Sequence, residues 1–351
     1  MTDSKQASAF KEQSPLRAKI SNLLSNQSVV LLITLVVLGT FFQWGSDGIF
    51  LSTGLLGTVL DEWGSYILLA VGQLFVVITG GIDLSVGSTV SLSSVVAGWF
   101  VVQQLKVGPE ITGADALPYV LLITGICLVV GLIVGLLNAF LINKLKIVPF
   151  IATLATMGAS NGIAVMISVG MPLQGPNDWE LGSPWNIGGI ELPVSTMVFS
   201  AMVITAVVGL FLHKSKFGLY TYSLGSNAFA TRGAGISVEK HITKVYMLSG
   251  GLAGLAGAYS YVRLGAGSNT SGMGMELYAI AAVVIGGASL MGGVGRIVGI
   301  ALGTLVLFVV QSGLLTMTVV QVSPDLKQVI VAILIAAAVA VQTLQNKNGR
   351  K

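Results

Sequence analysis

The sequence predicts an all-α fold: a polytopic membrane protein with about ten transmembrane helices and with its N- and C-termini cytoplasmic. Three observations carry that reading. Of 351 residues, 54% are hydrophobic and 9% charged, with a mean hydropathy of +0.87, whereas roughly a quarter of a soluble domain is charged. The apolar residues gather into runs near the ~20 that a bilayer core requires. Basic and acidic residues then fall on opposite sides of those runs.

Residues 1–26 are polar and basic, with Lys5, Lys11, Arg17 and Lys19, and hold no apolar core of the kind found in a cleaved signal peptide. The first span is therefore expected to stay in the protein. Spans are predicted at 28–44, 64–81, 88–105, 118–142, 149–170, 194–213, 244–262, 276–291, 297–318 and 326–344. Pro118, Pro149 and Pro193 stand at or just before span starts, where a missing N–H costs least. No linker divides the chain. Residues 27–345 read as a single transmembrane domain between a cytoplasmic segment, 1–26, and a cytoplasmic tail, 346–351.

Ten spans put both termini on one side, and charge says which. With the termini inside, 15 of the 18 Lys and Arg are cytoplasmic, leaving Lys106, Arg263 and Lys327 outside. Ten of the 14 acids do the reverse, Asp61, Glu62 and Glu276 among them. The longest outer loop, Met171–Pro193, carries Asp178, Glu180 and Glu191 without a cation; it reads either as a contact for an outside partner or as a solvated loop. Val76-Val77-Ile78-Thr79-Gly80-Gly81-Ile82-Asp83-Leu84 and Val283-Val284-Ile285-Gly286-Gly287-Ala288-Ser289-Leu290 align with one gap, each at the inner end of a span, and the even number of spans between them would make a repeat parallel. Duplication or common helix composition explains that equally well.

Several functions are excluded by what is missing. No Gly-Lys dipeptide occurs, so there is no phosphate-cradling P-loop, and the H-E-x-x-H signature is absent too. The chain is not expected to be an enzyme. Cys127 is the single cysteine and only His213 and His241 accompany it, so neither a metal nor another cofactor is expected. The net charge of +4 gives no reason to expect nucleic acid, and its cytoplasmic distribution suits membrane lipid.

Polar residues inside or beside spans are the candidates for a translocation pathway or gate: Gln73, Asn138, Asn161, Glu276 and the Asp83–Ser85 pair. An ionisable residue at membrane depth suggests function. Asp83 can equally N-cap the next helix, with Ser85 closing an Asx-type turn, and the glycines around it would still let the loop act as a gate. Each amide can likewise serve only a helix–helix hydrogen bond. An ion-coupled transporter would need more buried carboxylates than Asp83 and Glu276 provide.

The cytoplasmic loop 214–244 is the longest polar interruption. Asn227 is placed to N-cap a short helix with Arg232 at its negative end, and Gly233 and Gly235 to stop it. Phe229 and Ile236 make this stretch apolar where a solvated loop would not be. It reads as a docking element.

Taken together, these pieces resemble the permease subunits of the ribose-type ABC sugar importers. The resemblance rests on Gly80-Gly81-Ile82-Asp83-Leu84-Ser85-Val86-Gly87, Val148-Pro149-Phe150-Ile151-Ala152-Thr153-Leu154, Phe217-Gly218 to Gly235-Ile236, and Glu276-Leu277-Tyr278 through Gly299, within residues 70–340. It implies a multi-pass protein of the bacterial inner membrane that translocates a monosaccharide. Its implied partners are cytoplasmic ABC ATPase subunits, an extracytoplasmic sugar-binding protein and a second permease chain, identical or related. A nucleoside or other small neutral solute is the alternative cargo. By the same resemblance, Asn227 to Gly235 matches the helix that couples to the ATPase. The chain departs from the family where Ala228 and Phe229 follow Asn227 and where Tyr278 replaces a usual Asp.

Overall fold

The computed structural model describes residues 26–318 and, beyond them, Leu326, Val329, Ala332, Ile333 and Ala336. The predicted span 326–344 falls mostly outside the described residues. The helices are α1 (Gln27–Gly45), α2 (Thr53–Ile78), α3 (Val86–Trp99, continued by a π turn, Phe100–Gln104), α4 (Leu117–Asn143) and α5 (Pro149–Ser168). They are followed by α6 (Thr196–Lys214), α7 (Lys216–Ser226), α8 (Ala228–Gly233), α9 (Val238–Leu264), α10 (Met275–Ile285) and α11 (Ile297–Thr316). Four short strands, β1 (Leu173–Gln174), β2 (Pro184–Ile187), β3 (Ile190–Ser195) and β4 (Ala266–Gly267), pair β1 with β4 and β2 with β3, both antiparallel.

Among the described residues, seven helices are long and apolar enough to cross a membrane: α1 to α6 and α11, with the short turns at Gly113–Ala116 and Phe100–Gln104 extending α4 and α3. Their side chains explain the boundaries. Pro118 and Pro149 lie in the first turns of α4 and α5, where no intrahelical N–H is needed. Ser52 caps α2 by accepting from the Leu55 amide, and Ser195 caps α6 by accepting from that of Val198.

Several elements differ from the sequence-based expectation: α9, expected from 244, begins at Val238 inside the expected loop 214–244, and three further differences bear on the site. The span predicted to begin at 64 begins at Thr53, so Asp61 and Glu62 lie inside α2. They are tolerated because each has a partner: the Ser195 hydroxyl donates to Asp61 Oδ1 at 2.8 Å, and Arg263 Nη2 meets Glu62 Oε1 at 2.6 Å. The span predicted at 276–291 is an 11-residue helix, α10, about 16 Å long and short of a ~30 Å bilayer core. The distance is made up by the irregular segment 265–274 running beside α3, where the Gly272 amide donates to Ser91 Oγ at 2.9 Å. Non-helical backbone survives at such depth only when it is satisfied inside the protein. Finally, the outer loop is folded rather than loose: β2 and β3 form a hairpin, and Asp178 is buried as the cap of a 3-10 turn.

The core is laid around α2, which is buried along nearly its whole second half. Helix α9 lies against α2, α3 and α4. Its approach to α4 depends on Gly131 and Gly250, since a Cβ on either would run into the carbonyl of the other. The near-repeat also has a structural counterpart. At the end of α2, the amides of Gly80 and Gly81 donate to the carbonyls of Val77 and Val76; at the end of α10, those of Gly287 and Ala288 donate to Val284 and Val283. Gly80 (φ +81°) and Gly287 (φ +88°) close the two caps in the left-handed region.

Candidate functional site: a polar knot and a docking corner

The loop between α2 and α3 turns at Gly80 and climbs back beside α2. It thereby places Asp83 opposite Gln73, about 7 Å inside the end of α2. With the Gln73 amide assigned the orientation that matches donor to acceptor, it makes a two-point pair with the Asp83 backbone: its nitrogen donates to the Asp83 carbonyl at 3.0 Å and its oxygen accepts from the Asp83 amide at 3.2 Å. A side chain thus does for this loop what a neighbouring strand would do elsewhere. Both residues are almost fully buried.

The Asp83 carboxylate is held as closely as its backbone. Its Oδ1 accepts from the Ser85 amide at 2.9 Å and the Ser85 hydroxyl at 2.6 Å, which is the Asx-type turn read from the sequence. Its Oδ2 accepts from the Ser249 hydroxyl of α9 at 3.1 Å. Asn138 of α4 donates to Ser85 Oγ at 2.8 Å and accepts from the Thr156 hydroxyl of α5 at 2.5 Å. Thr153, one turn earlier on α5, accepts from the Leu84 amide at 3.1 Å. Five helices therefore meet at one buried loop, and beside it the Tyr246 hydroxyl, packed against Gly81, is buried without a partner.

Of the six residues proposed from sequence for a pathway or gate, Gln73, Asp83, Ser85 and Asn138 are brought together here. Asn161 is elsewhere, exposed on α5 between Gly158 and Gly162, whose surroundings are open. Glu276 is also apart from the knot; it opens α10 with its carboxylate against the Gly87 backbone, at the favourable end of the helix dipole. Sequence reasoning missed Thr153, Thr156 and Ser249. The only signal for them was polar spacing, two threonines three apart behind Pro149 and a serine before Gly250-Gly251.

The loop 214–244 lies at the same end of the bundle. Asn227 caps α8 as expected, its side chain accepting from the Ala230 amide at 2.9 Å, and Gly235 ends the turn at φ +82°. Gly233 is the last residue inside the helix. Arg232 is not simply free at the helix end: its Nη2 meets Glu239 Oε1 at 2.6 Å, at the start of α9. Ile236 is half-buried, its amide bonded to the Thr231 carbonyl, while Phe229 is 90% exposed. The helix ahead of α8, α7, was not anticipated.

Helix α7 fastens this corner to the core. A Cβ on Gly225 would run into the Ile78 carbonyl, which itself accepts from the Gly293 amide at 2.9 Å. Phe217 packs between Phe75, Phe211 and His241. His241 precedes the apolar part of α9 and bonds to the Thr221 hydroxyl at 2.9 Å; burial first, then the Lys244 charge, lowers its pKa to about 4. The docking corner and the polar knot are thus joined by α9, with Glu239 and His241 at one end and Ser249 two turns on.

Comparison with known proteins decides what such an arrangement belongs to. Residues 55–339 match the family described as "Branched-chain amino acid transport system / permease component". The chain belongs to this permease family. A ribose import permease protein of Bacillus subtilis (strain 168) is 38% identical to the permease over 255 residues, covering 70% of this chain and 72% of the relative. The D-allose transport system permease protein of Escherichia coli (strain K12) is 33% identical over 314 residues, 89% and 90% of the two chains. The galactose/methyl galactoside import permease protein of the same strain is 32% identical over 325 residues, 90% and 93%. No solved structure matches. The permease is accordingly a multi-pass membrane protein with a role in transport.

Proposed function

We propose that the permease is the translocating subunit of an ATP-binding-cassette importer for a monosaccharide, in a bacterial inner membrane. The observation that carries the reading is the relationship to the ribose, allose and galactose permeases over most of both chains. The single transmembrane domain has no catalytic role, and ATP is hydrolysed on separate cytoplasmic subunits. Both termini and residues 214–244 face the cytoplasm, which agrees with the excess of Lys and Arg at that end. An extracytoplasmic binding protein delivers the sugar to the other end.

The geometry supports a mechanism. An ATPase groove takes Phe229, which is exposed at the tip of a capped helix beside the Arg232–Glu239 pair. Displacement of α8 pulls on α7 and on the start of α9, and α9 carries the pull to Ser249 and the Asp83 loop. The knot of Gln73, Asp83, Ser85 and Asn138 is then a gate clamp, because these four side chains are engaged with one another and with the loop backbone. A switch of this kind needs two packed states that a partner can bias. The second permease chain packs on α5, where an exposed Asn161 between glycines is poorly suited to lipid alone.

The test is uptake by the chain reconstituted with its ATPase and binding protein, offered labelled D-ribose, D-allose and D-galactose, with L-leucine as the contrast. ATP-dependent accumulation of a sugar is expected. Accumulation of leucine alone would overturn the sugar reading.

A further inference from the structure

Near the opposite end of the bundle lies a cleft of about 200 Å³ between α2, the end of α9 and the start of α10. Space of that size equals six or seven water volumes at about 30 Å³ each. Its wall holds Glu62, Ser65 and Tyr66 from α2, Arg263 from α9, and Ser271 and Met275 from the irregular segment and α10. Two polar atoms in this wall have no partner: Ser65 Oγ and Ser271 Oγ are both buried and unbonded. Ser65 is 2% exposed. A buried hydroxyl without a partner costs free energy unless something else completes it.

The ion pair beside them is equally incomplete. Only Arg263 Nη2 and Glu62 Oε1 meet, so Oε2 and the other guanidinium N–H groups have no protein partner among the described residues. The wall therefore offers a carboxylate acceptor, several N–H donors and the hydroxyls of Ser65, Tyr66, Ser260 and Ser271, of which those of Ser65 and Ser271 are buried and unbonded. Within the wall Glu62 and Arg263 balance each other, with Asp61 and Glu276 close outside it. Tyr66 adds a ring already buttressed by Tyr278 at 5.6 Å and Phe308 at 4.6 Å, so its position is fixed.

We propose that this cleft is a binding station for an uncharged polyhydroxylated ring, with Ser65, Ser271 and the free edges of the Glu62–Arg263 pair completing its hydroxyls. The proposal rests on the importer reading for the direction of travel: the station lies on the side where the binding protein releases its cargo. Segment 265–274 is what forms it. Because α10 starts only at Met275, the backbone there is open enough to place Ser271 in the wall.

The experiment uses the complete transporter in proteoliposomes and a Ser271→Cys chain. The wild-type chain is the blank, since Cys127 is fully buried. A membrane-impermeant methanethiosulfonate is expected to label Cys at 271, and millimolar D-ribose, D-allose or D-galactose to slow labelling several-fold, with L-leucine without effect. In parallel, Ser65→Ala is expected to raise the uptake KM by about two- to ten-fold, as loss of one hydrogen bond implies, with ATPase co-purification unchanged. Labelling that no sugar slows, slowing by leucine alone, or an unchanged KM would overturn the station. Sugar uptake without protection defeats this inference only; protection without uptake defeats the importer reading only.

Discussion

The Ser249 hydroxyl of α9 donates to Oδ2 of Asp83, in the loop between α2 and α3, across 3.1 Å, although the two residues lie 166 positions apart in the chain. This bond fastens α9, the helix that leaves the docking corner, to the loop that turns α2 into α3. Under the proposed mechanism Ser249 is therefore the member of the knot that partner binding would displace.

Removing the acceptor should cost more than removing one donor. Asp83→Ala strands the Ser249 hydroxyl and the Ser85 amide, at about 1–3 kcal/mol for each buried group left unpaired, and takes one of two partners from the Ser85 hydroxyl, which still accepts from Asn138. Ser249→Ala loses one bond, worth about 1 kcal/mol. Thermal melting of the purified chain in detergent should place Asp83→Ala well below Ser249→Ala, and coincident melts would show that the loop is held by something else.

Glycine substitutions should separate sharply by neighbour. Gly131→Val would drive a side chain into the Gly250 carbonyl, so little folded chain is expected in the membrane. Gly158→Ala faces open space and should accumulate normally unless the second chain packs there. Comparing both variants for membrane yield, and Gly158→Ala for oligomeric state by crosslinking, tests the helix contact and the proposed dimer face at once.

For the docking corner, charge reversal distinguishes two roles of Arg232. Arg232→Glu is expected to uncouple ATP hydrolysis from uptake while leaving the chain inserted. If the Arg232–Glu239 pair matters only as an internal brace, adding Glu239→Arg restores coupling; if Arg232 contacts the ATPase, it does not. Exposed ion pairs are worth at most about 1 kcal/mol, so the prediction is no rescue. Phe229→Ala should reduce ATPase co-purification with no change in melting, because a side chain 90% exposed adds little to the fold.

His241 gives the corner a pH dependence of known sign. Its folded pKa, near 4, lies below the ordinary 6.5, so the unfolded chain binds the proton more readily. Stability from this residue is complete above pH 6.5 and is lost as pH falls toward 4. Melting temperature should therefore drop more steeply over that interval for the wild type than for His241→Gln, which has no such titration. Parallel curves would rule His241 out as the cause.

The sequence was most legible where hydrophobicity and charge act over a whole segment. Long apolar runs reported α1, α4, α5, α6 and α11 nearly to the residue, and Asn227 announced the cap of α8. Legibility failed where a distant partner changes what a residue tolerates. Asp61 and Glu62 argued against helix until Ser195 and Arg263, far along the chain, neutralised the objection. The end of α10 was overrun because Gly286 and Gly287 were counted as span rather than cap. Gln73, Asp83, Ser85 and Asn138 could be named as polar residues in apolar surroundings, but their convergence depends on a loop folding back, which no local pattern encodes.

The brevity of α10 has a consequence for how the chain is made. A translocating channel recognises a span by its own apolar length, and α10 offers 11 residues where about 20 are needed. Helix α9 is long enough but is not among the strongly apolar spans, with Glu239, Lys240, His241 and Lys244 at its start. Neither helix should enter the bilayer unaided. Their insertion must wait until α11 has emerged from the ribosome, so that α9 to α11 enter as one unit onto α2 and α4 already in place. Ribosome-bound chains ending before α11 should therefore leave residues 238–285 accessible to protease.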